Sequence, residues 1–388
     1  MVRRTRTYLL AAIIVMACLL RAPITSVSPV LSLIRTDVEM GSAVLGLLTT
    51  IPLVMFALMS PFAGAIGARL GEGRAMLLSL LAVLAGALGR SYAGAAGLFA
   101  GTLLLGAGIA VGNVLVPSIL KARFADHIGP ATGAFTMSMS CGAGIATGVS
   151  LPLALALGWR HALALWGVLA AVAFLLWLPQ RGLRVAQDPA DGSAGASATP
   201  VLRSSTAWGV AAFMGMQSIL FYCFVAWLPT VLTERGVDAV VSGYYALGYQ
   251  FIGIPASFCI PTIAARMAHQ RGLIAAVAAL YAAGLLLVLL GQSPGVLLAG
   301  TLVCGFCTGA CFSLCMLLIG LRARNAADAA RLSGMVQTVG YAVAAVGPLA
   351  MGALHDATDS FALPMGVLVG VTGLMLLVSR SVGRARYI

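Results

Sequence analysis

The sequence predicts an all-α membrane protein whose twelve transmembrane helices form two six-helix bundles. Of its 388 residues, 61% are hydrophobic and 9% are charged, and mean hydropathy is +1.02, whereas soluble domains carry about 25% charged residues. The apolar runs are long and unbroken, as at residues 77–88, which favours helices over the alternating strands of a membrane β-barrel. A polar segment at residues 179–205 divides the chain near its middle.

Breaks at charges and at clusters of glycine and proline separate twelve predicted helices. Their approximate bounds are 8–33, 42–68, 75–89, 96–120, 131–156, 161–178, 206–232, 241–265, 272–290, 295–320, 328–354 and 360–379. Three arginines precede the first helix, as in a secretory signal, but the helix continues past Arg21 without a convincing cleavage site of small residues. We therefore expect the first helix to be retained.

The segment at residues 179–205 has the proline, glycine, serine and alanine content of a flexible linker. The predicted domains are an N-terminal six-helix bundle at 1–180, a cytoplasmic linker at 181–205 and a C-terminal six-helix bundle at 206–388. An internal repeat supports this division, because Ala-Arg follows the second helix at 68–69 and the eighth at 265–266. Two related halves with a site between them indicate a secondary transporter.

The basic residues predict the orientation of the chain in the membrane. Most of the 23 lie in the tails and in the loops on the same side as the N-terminus, and the opposite loops hold only Arg35, Arg90, Arg160 and Arg235. Because basic loops stay inside, both termini and the linker are expected to be cytoplasmic. Arg21 is the one ionisable residue that this assignment places deep in the membrane.

Residues 64–74, GAIGARLGEGR, resemble the short basic loop between helices 2 and 3 of the major facilitator superfamily. They depart from its pattern at Ala68, where an aspartate is usual, and at Glu72, where a basic residue is usual. The resemblance implies a conformational role for this loop and its repeat in the second half, through Gly64, Arg69, Gly71, Arg74, Arg266 and Arg271.

Four longer stretches resemble the cyanate porter and 2-nitroimidazole transporter family of that superfamily. They are LRAPITSVSPVLSLI from Leu20, GIAVGNVLVPSILKARF from Gly108, MQSILFYCFVAWLPTVL from Met216 and LSGMVQTVGYAVAAVGPLAMGALHD from Leu332. The resemblance implies the major facilitator fold and location in a bacterial inner membrane. It also implies transport of a small anion such as cyanate or an azole such as a nitroimidazole.

Arg21 is the first candidate substrate-binding residue. A charge deep in a bilayer costs at least about 2.5–3.5 kcal/mol on insertion scales, so we interpret it as a fixed positive charge for an anionic or electron-rich substrate. The alternative is that backbone carbonyls neutralise it or that it snorkels outward. Helical spacing predicts one polar stripe containing Arg21, Thr25, Ser28 and Ser32, although Pro23 interrupts the helix.

Further candidates are amides and aromatic residues within three other predicted helices. They are Asn113 in helix 4, Gln217, Phe221 and Tyr222 in helix 7, and Gln337 and Tyr341 in helix 11. Amides and phenols can bond a small polar ligand without carrying charge. The alternative for each is a hydrogen bond or packing contact between helices.

No catalytic residue, metal site or cofactor is predicted, because the eight cysteines fit helix packing better than a thiolate site and no catalytic motif is visible. Scattered basic residues argue against nucleic acid as a partner. We expect a monomer that contacts the lipid bilayer and a small solute. The predicted function is secondary transport by alternating access, and the alternatives are a channel or sensor that uses the same cavity, or a multidrug efflux transporter.

Overall fold

The computed structural model describes residues 2–40, 42–185 and 201–383, and no strand occurs within these ranges. Within the same ranges, twelve helical spans are long and apolar enough to cross a membrane. Spans 1 to 6 are Arg6–Val30, Leu47–Leu70, Glu72–Tyr92, Gly94–Arg123, Ala125–Leu157 and Trp159–Gln180. Spans 7 to 12 are Ser205–Glu234, Val240–Ala264, Arg271–Leu290, Pro294–Arg322, Ala326–Thr358 and Ala362–Val382.

Most spans extend a few residues beyond the predicted helices, because the turns between them are very short. Span 3, for example, was expected at 75–89 and runs from Glu72 to Tyr92. The chain passes from span 2 to span 3 through Gly71, whose φ is 85°, a conformation that favours glycine. Polar residues at the helix ends therefore belong to the helices and not to loops.

The packing of the spans repeats between the two halves. In the first half, span 1 packs on span 5, span 2 on span 4, and span 3 on spans 4 and 6. Six spans later, span 7 packs on span 11, span 8 on span 10, and span 9 on spans 10 and 12. This is the parallel arrangement of two six-helix bundles. The domain boundaries stay a prediction, and residues 186–200 of the linker lie outside the described residues.

The loops that follow spans 2, 4, 6, 8 and 10 lie at one end of the bundle, which we call the basic end. There the repeat extends to single hydrogen bonds. The Gly73 N–H donates to the carbonyl of Leu183, which follows span 6, at 2.9 Å. The Gln270 N–H donates to the carbonyl of Gly383, which follows span 12, at 3.0 Å. Each half thus ties the loop after its second span to the end of its sixth.

Arginines reinforce both of these contacts. Arg123, at the end of span 4, donates from Nη2 to the Arg184 carbonyl at 3.0 Å. Arg322, at the end of span 10, donates from Nη2 to the Val382 carbonyl at 3.2 Å. Hydrogen bonds from charged donors are stronger than neutral ones. Spans 4 and 10, which occupy equivalent positions in the two halves, therefore make equivalent hydrogen bonds to the end of each half.

Spans 5 and 8 join the halves at the basic end and separate toward the opposite end. A Cβ added to Gly133 would lie 2.8 Å from the Phe258 carbonyl oxygen, so the two backbones nearly touch. One turn further, Thr136 Oγ1 donates to the Ser257 carbonyl at 2.8 Å. By Gly148, an added Cβ would meet no atom within 4 Å. The halves are closed along this seam only on the basic side.

The polar stripe predicted along span 1 holds for Arg21 and Thr25, since the Thr25 N–H donates to the Arg21 carbonyl at 3.1 Å. It does not extend to Ser28, because the helix is broken in two places. A first helix ends at Leu19, a short helix covers Ala22–Thr25, and a 3-10 turn covers Ser28–Val30. Pro23 and Pro29 lack the N–H groups that a continuous helix would need at these positions. Ser28 is exposed, and the side chain of Ser32 lies outside the described residues.

Candidate substrate site

A small cavity of about 20 Å³, which we call the central cavity, lies between the two halves. The first half supplies the broken part of span 1 together with spans 2, 4 and 5, and the second half supplies spans 7 and 11. The lining residues are Leu20, Arg21, Ile24, Thr25, Phe56, Asn113, Met139, Phe221, Tyr222 and Tyr341. Six of the eight predicted substrate-binding residues are among them.

Arg21 lies at the break in span 1, with a non-helical φ of −130°. Its guanidinium carbon is 4.8 Å from the ring centre of Phe221 in span 7 and 4.1 Å from that of Phe312 in span 10. Two aromatic faces therefore hold the cation by cation–π attraction. Among the described residues, no carboxylate lies within salt-bridge distance of it.

Aromatic rings continue from Phe221 across the cavity. The ring of Tyr222 lies 4.9 Å from that of Phe221 and 6.4 Å from that of Tyr341, which is in turn 4.8 Å from Phe56. All three contacts are edge to face, a favoured geometry for aromatic pairs. The two phenols place hydroxyl groups beside otherwise apolar walls.

Thr25 and Asn113 supply the remaining polar groups of the lining. The Thr25 hydroxyl lies 3.2 Å from the Ala143 carbonyl and donates to backbone oxygens, so it fastens the short helix of span 1 to span 5. Asn113 is buried in span 4, and its backbone carbonyl accepts a hydrogen bond from Gln337 at 2.9 Å. Its side-chain amide is the only one among the described residues of the lining.

Gln217 and Gln337 do not line the central cavity. Gln217 Nε2 donates within its own helix, to Ser218 Oγ at 2.7 Å. Gln337 Nε2 donates to Ser333 Oγ and to the Asn113 carbonyl, both at 2.9 Å. The second of these bonds joins span 11 to span 4, and therefore one half to the other.

Arg90 is buried inside the protein, and its predicted position in an outer loop is wrong. It lies within span 3, and only 2% of it is exposed. Its Nη1 donates to the Pro23 carbonyl at 2.6 Å, while its Nε and Nη2 have no partner among the described residues. The next N–H that could reach this carbonyl, that of Val27, donates to Ile24 instead. The Ser26 hydroxyl also donates to the Pro23 carbonyl, at 3.1 Å, so Arg90 and Ser26 together satisfy a carbonyl that the break in span 1 releases.

A family model for the Major Facilitator Superfamily matches residues 13–348. The chain belongs to the Major Facilitator Superfamily. It is accordingly a secondary transporter and a multi-pass membrane protein, and it is not an enzyme.

Relatives within the superfamily cover nearly the whole chain. It is 42% identical to the uncharacterized transporter YycB of Bacillus subtilis (98% of this chain, 94% of YycB). It is 37% identical to the 2-nitroimidazole transporter of Escherichia coli (97% and 94%), and 28% identical to the cyanate transport protein CynX of the same organism (96% and 96%). The predicted family resemblance is confirmed.

Solved superfamily structures share the fold. The proton:xylose symporter XylE superposes with a TM-score of 0.82 at 12% identity, covering 98% of this chain and 97% of XylE. The human organic anion transporter MFSD10 superposes with a TM-score of 0.77 at 15% identity, covering 96% and 99%. At these identities the likeness shows the twelve-helix architecture alone.

The superfamily loop between spans 2 and 3 lies at the basic end. Arg69 and Arg74 are exposed there, as is Arg266 in the equivalent loop of the second half, whereas Arg271 is half-buried. Gly71 makes the turn, with its φ of 85°. The conformational role of these residues stays a prediction.

Gly64 faces the other half. A Cβ added to it would lie 3.8 Å from the Ala330 side chain in span 11. Glu72, the residue that departs from the superfamily pattern, accepts the Val185 N–H at 2.8 Å. That bond lies between span 3 and the segment that follows span 6, so this carboxylate joins parts of one half and its linker.

The described residues contain no group of three or more histidine, cysteine, aspartate or glutamate side chains that could hold a metal ion. The described acids lie at the ends of spans or in the turns between them, as with Asp126 at the start of span 5 and Glu234 at the end of span 7. Among the described residues, Arg21 is therefore the one charged side chain in the lining of the central cavity.

Proposed function

We propose that this transporter carries a small anion or an electron-poor polar solute, cyanate-like or nitroimidazole-like, across the bacterial inner membrane by alternating access. One observation carries the proposal. The Arg21 guanidinium lines the central cavity and has no carboxylate within salt-bridge distance in the described part of the chain. The names of two relatives, a 2-nitroimidazole transporter and a cyanate transport protein, point to the same two kinds of solute.

The electrostatics of the lining favour this class of solute. An anion gains attraction from Arg21 in a low-dielectric site, and a cation meets repulsion that no acid offsets. The faces of Phe221 and Tyr222 are electron-rich, so they suit a planar, electron-poor ring. The hydroxyl groups of Tyr222 and Tyr341 can donate to an acceptor such as a nitro or cyanate oxygen, whereas the Thr25 hydroxyl, whose hydrogen bonds backbone carbonyls, can only accept.

We assign the direct contacts to Arg21, Thr25, Asn113, Tyr222 and Tyr341, with Phe221 as an apolar wall. These side chains line the central cavity. Gln217 and Gln337 have their amide donors engaged within the protein and act indirectly in this proposal. A ligand could recruit them only by displacing these hydrogen bonds.

The size of the central cavity supports alternating access. About 20 Å³ of accessible volume suffices for about one water molecule. A solute as large as a nitroimidazole therefore requires the halves to move relative to each other. If the basic end is cytoplasmic, as the positive-inside rule predicts, the seam between spans 5 and 8 is closed toward the cytoplasm in the conformation described here.

The test is binding and counterflow with a matched set of anionic, neutral and cationic solutes of similar size. We expect the purified protein to bind cyanate or 2-nitroimidazole and to exclude the cations. Arg21→Ala should lower affinity at least tenfold while the protein still inserts, and Arg21→Lys should restore part of it, because an ammonium lacks the planar fork of a guanidinium. Arg324→Gln, which removes an exposed charge at the basic end, is the matched control and should bind normally.

Three outcomes would contradict the proposal. Preference for cations would indicate a multidrug efflux transporter. Flux of labelled solute without saturable counterflow in proteoliposomes would indicate a channel. Normal affinity of Arg21→Ala at normal amounts in the membrane would mean that the substrate charge partner lies elsewhere.

A further inference from the structure

A second and larger cavity, of about 790 Å³, lies at the basic end between spans 2, 4 and 11 and the two described ends of the linker, at 181–185 and 201–205. We call it the basic-end cavity. Both halves line it, since Gly64 and Leu115 belong to the first half and Ala330 and Met335 to the second. Its volume falls within the range of about 300–1,000 Å³ that is typical of ligand sites. It shares no lining residue with the central cavity.

The inner walls of the basic-end cavity are apolar, with side chains such as Leu115, Met335 and Val339. Its two hydroxyl groups are already bonded to backbone. Ser118 Oγ donates to the Ala326 carbonyl at 2.9 Å, and Thr338 Oγ1 donates to a carbonyl of its own helix at 2.7 Å. A hydrated solute would therefore gain little by entering this part of the cavity, whereas a hydrocarbon chain would gain burial.

Charge is confined to the rim. Arg184 and Arg331 both line the cavity and are both exposed, and no carboxylate among the described residues lies within salt-bridge distance of either. Glu72 also lines the cavity, and it accepts the Val185 N–H. The two guanidinium groups leave a net positive rim at the ends of the spans, the depth at which lipid headgroups lie.

We propose that the basic-end cavity binds an anionic phospholipid of the bilayer, with its phosphate on Arg184 and Arg331 and an acyl chain along the apolar wall. Guanidinium groups bind phosphate through paired hydrogen bonds, and basic pockets between transmembrane helices are suited to anionic headgroups. A free anion would use only the rim and would leave the apolar wall exposed. The combination of a basic rim and an apolar interior therefore selects an amphiphile.

A lipid in this position contacts both halves at once. The wall formed by Leu115 moves with the first half and the wall formed by Met335 moves with the second. A bound lipid consequently stabilises the conformation in which both walls are present. The protein with lipid bound should therefore leave this conformation less readily than the empty protein does.

Thermal unfolding of the full-length protein in detergent tests the proposal, with lipid added in increasing amounts. Phosphatidylglycerol should raise the unfolding temperature at low concentration. Phosphatidylcholine with the same chains should need at least tenfold more, and glycerol 3-phosphate, the soluble headgroup, should give no shift. The combined Arg184→Gln and Arg331→Gln variant should need at least tenfold more phosphatidylglycerol than the wild type. The matched control, Arg203→Gln with Arg324→Gln, removes two exposed arginines outside the cavity lining and should behave as the wild type.

Met335→Trp provides a second variant, because it fills the apolar part and leaves the rim intact, and it should also weaken the response to phosphatidylglycerol. An equal response to both phospholipids, or an unchanged response in the arginine variant, would overturn the proposal. A full shift with glycerol 3-phosphate would overturn it in favour of a free-anion site. The readout is lipid binding and not transport, so its result is independent of the proposed substrate.

Discussion

Arg21 and Arg90 both depend on the break in span 1. Arg21 lies at the break and lines the central cavity. Arg90 donates to the carbonyl of Pro23, which is two residues after Arg21 in the chain. The Ser26 hydroxyl donates to the same carbonyl at 3.1 Å. Arg90 therefore holds the backbone that orients Arg21 without lining the cavity itself.

We predict that Arg90→Met weakens substrate binding at least tenfold while stability changes little. The lost hydrogen bond is offset because the variant no longer buries a charge whose Nε and Nη2 have no partner in the described residues. Arg90→Lys should recover affinity in part, since an ammonium can still donate to the carbonyl. Unfolding temperature and substrate Kd are the two measurements, and a large loss of stability with an unchanged Kd would contradict the prediction.

Gln337 gives a second prediction, about conformation. Gln337→Ala removes the hydrogen bond to the Asn113 carbonyl that joins the halves, which is worth about 1 kcal/mol. We expect a changed counterflow rate and less than a threefold change in Kd. Gln337→Glu should have a larger effect, because a carboxylate cannot donate to that carbonyl. Gln217→Ala, whose amide donates only within its own helix, is the control, and equal effects of the two alanine variants would argue against this role.

The pattern of the sequence identified the faces that meet at the central cavity, but not the depth of each residue. Phe221 and Tyr341 line the cavity, whereas Gln217 and Gln337, one turn nearer the basic end of the same helices, do not. Helical periodicity defines a face, and depth depends on how neighbouring helices are placed along their axes. Arg90 was misplaced for a related reason, because a charge near the end of an apolar run looks like part of a loop until its carbonyl partner on another span is known.

At the level of elements, the seam between spans 5 and 8 offers a matched pair of glycines. Gly133→Leu should force the spans apart, because a Cβ there already lies 2.8 Å from the Phe258 carbonyl oxygen. Gly148→Leu should be tolerated, because an added Cβ meets no atom within 4 Å. The two variants introduce the same side chain into the same helix, so Gly148→Leu is the matched control for Gly133→Leu.

Crosslinking of Ser140→Cys to Ser257→Cys, in a background without the native cysteines, measures closure of this seam. The two hydroxyl oxygens are 3.1 Å apart, so the cysteines should react readily with a short crosslinker. Gly133→Leu should reduce the yield several-fold and Gly148→Leu should leave it unchanged. Equal yields in both variants would show that the seam does not depend on the close approach of the backbones.

In span 1, the sequence predicts that the helix is interrupted, but it does not predict the path of the chain after the interruption. Its prolines were expected to interrupt the helix, yet the polar residues after Arg21 were still assigned to one stripe. The structure ends the helix at Leu19 and begins a new one that ends at Thr25. Arg21 and Thr25 therefore stay one turn apart, but the second break leaves Ser28 exposed and outside the stripe. Proline marks where a helix can break, but the direction of the chain after the break depends on the spans packed around it.

For the whole molecule, the distribution of basic residues predicts that the basic end is cytoplasmic. A reporter that is active only in the cytoplasm should give a strong signal when fused after Ile388, and so should one inserted in the linker. A reporter that requires an oxidising compartment should give signal when inserted between spans 5 and 6, near Gly158. The reverse pattern of signals would place the basic-end cavity, and the closed side of the seam between spans 5 and 8, on the outer face of the membrane.

The charge at the central cavity also affects how the membrane voltage acts on the transport cycle. With Arg21 alone, the empty site carries one positive charge, whereas a bound monovalent anion makes it neutral. A charge that crosses the full field changes in energy by about 2.3 kcal/mol per 100 mV. The loaded transporter would then reorient with little sensitivity to voltage, and the return of the empty transporter would be the electrogenic step. A neutral solute such as an uncharged azole would remove this distinction, because the site would then keep its positive charge in both the loaded and the empty step.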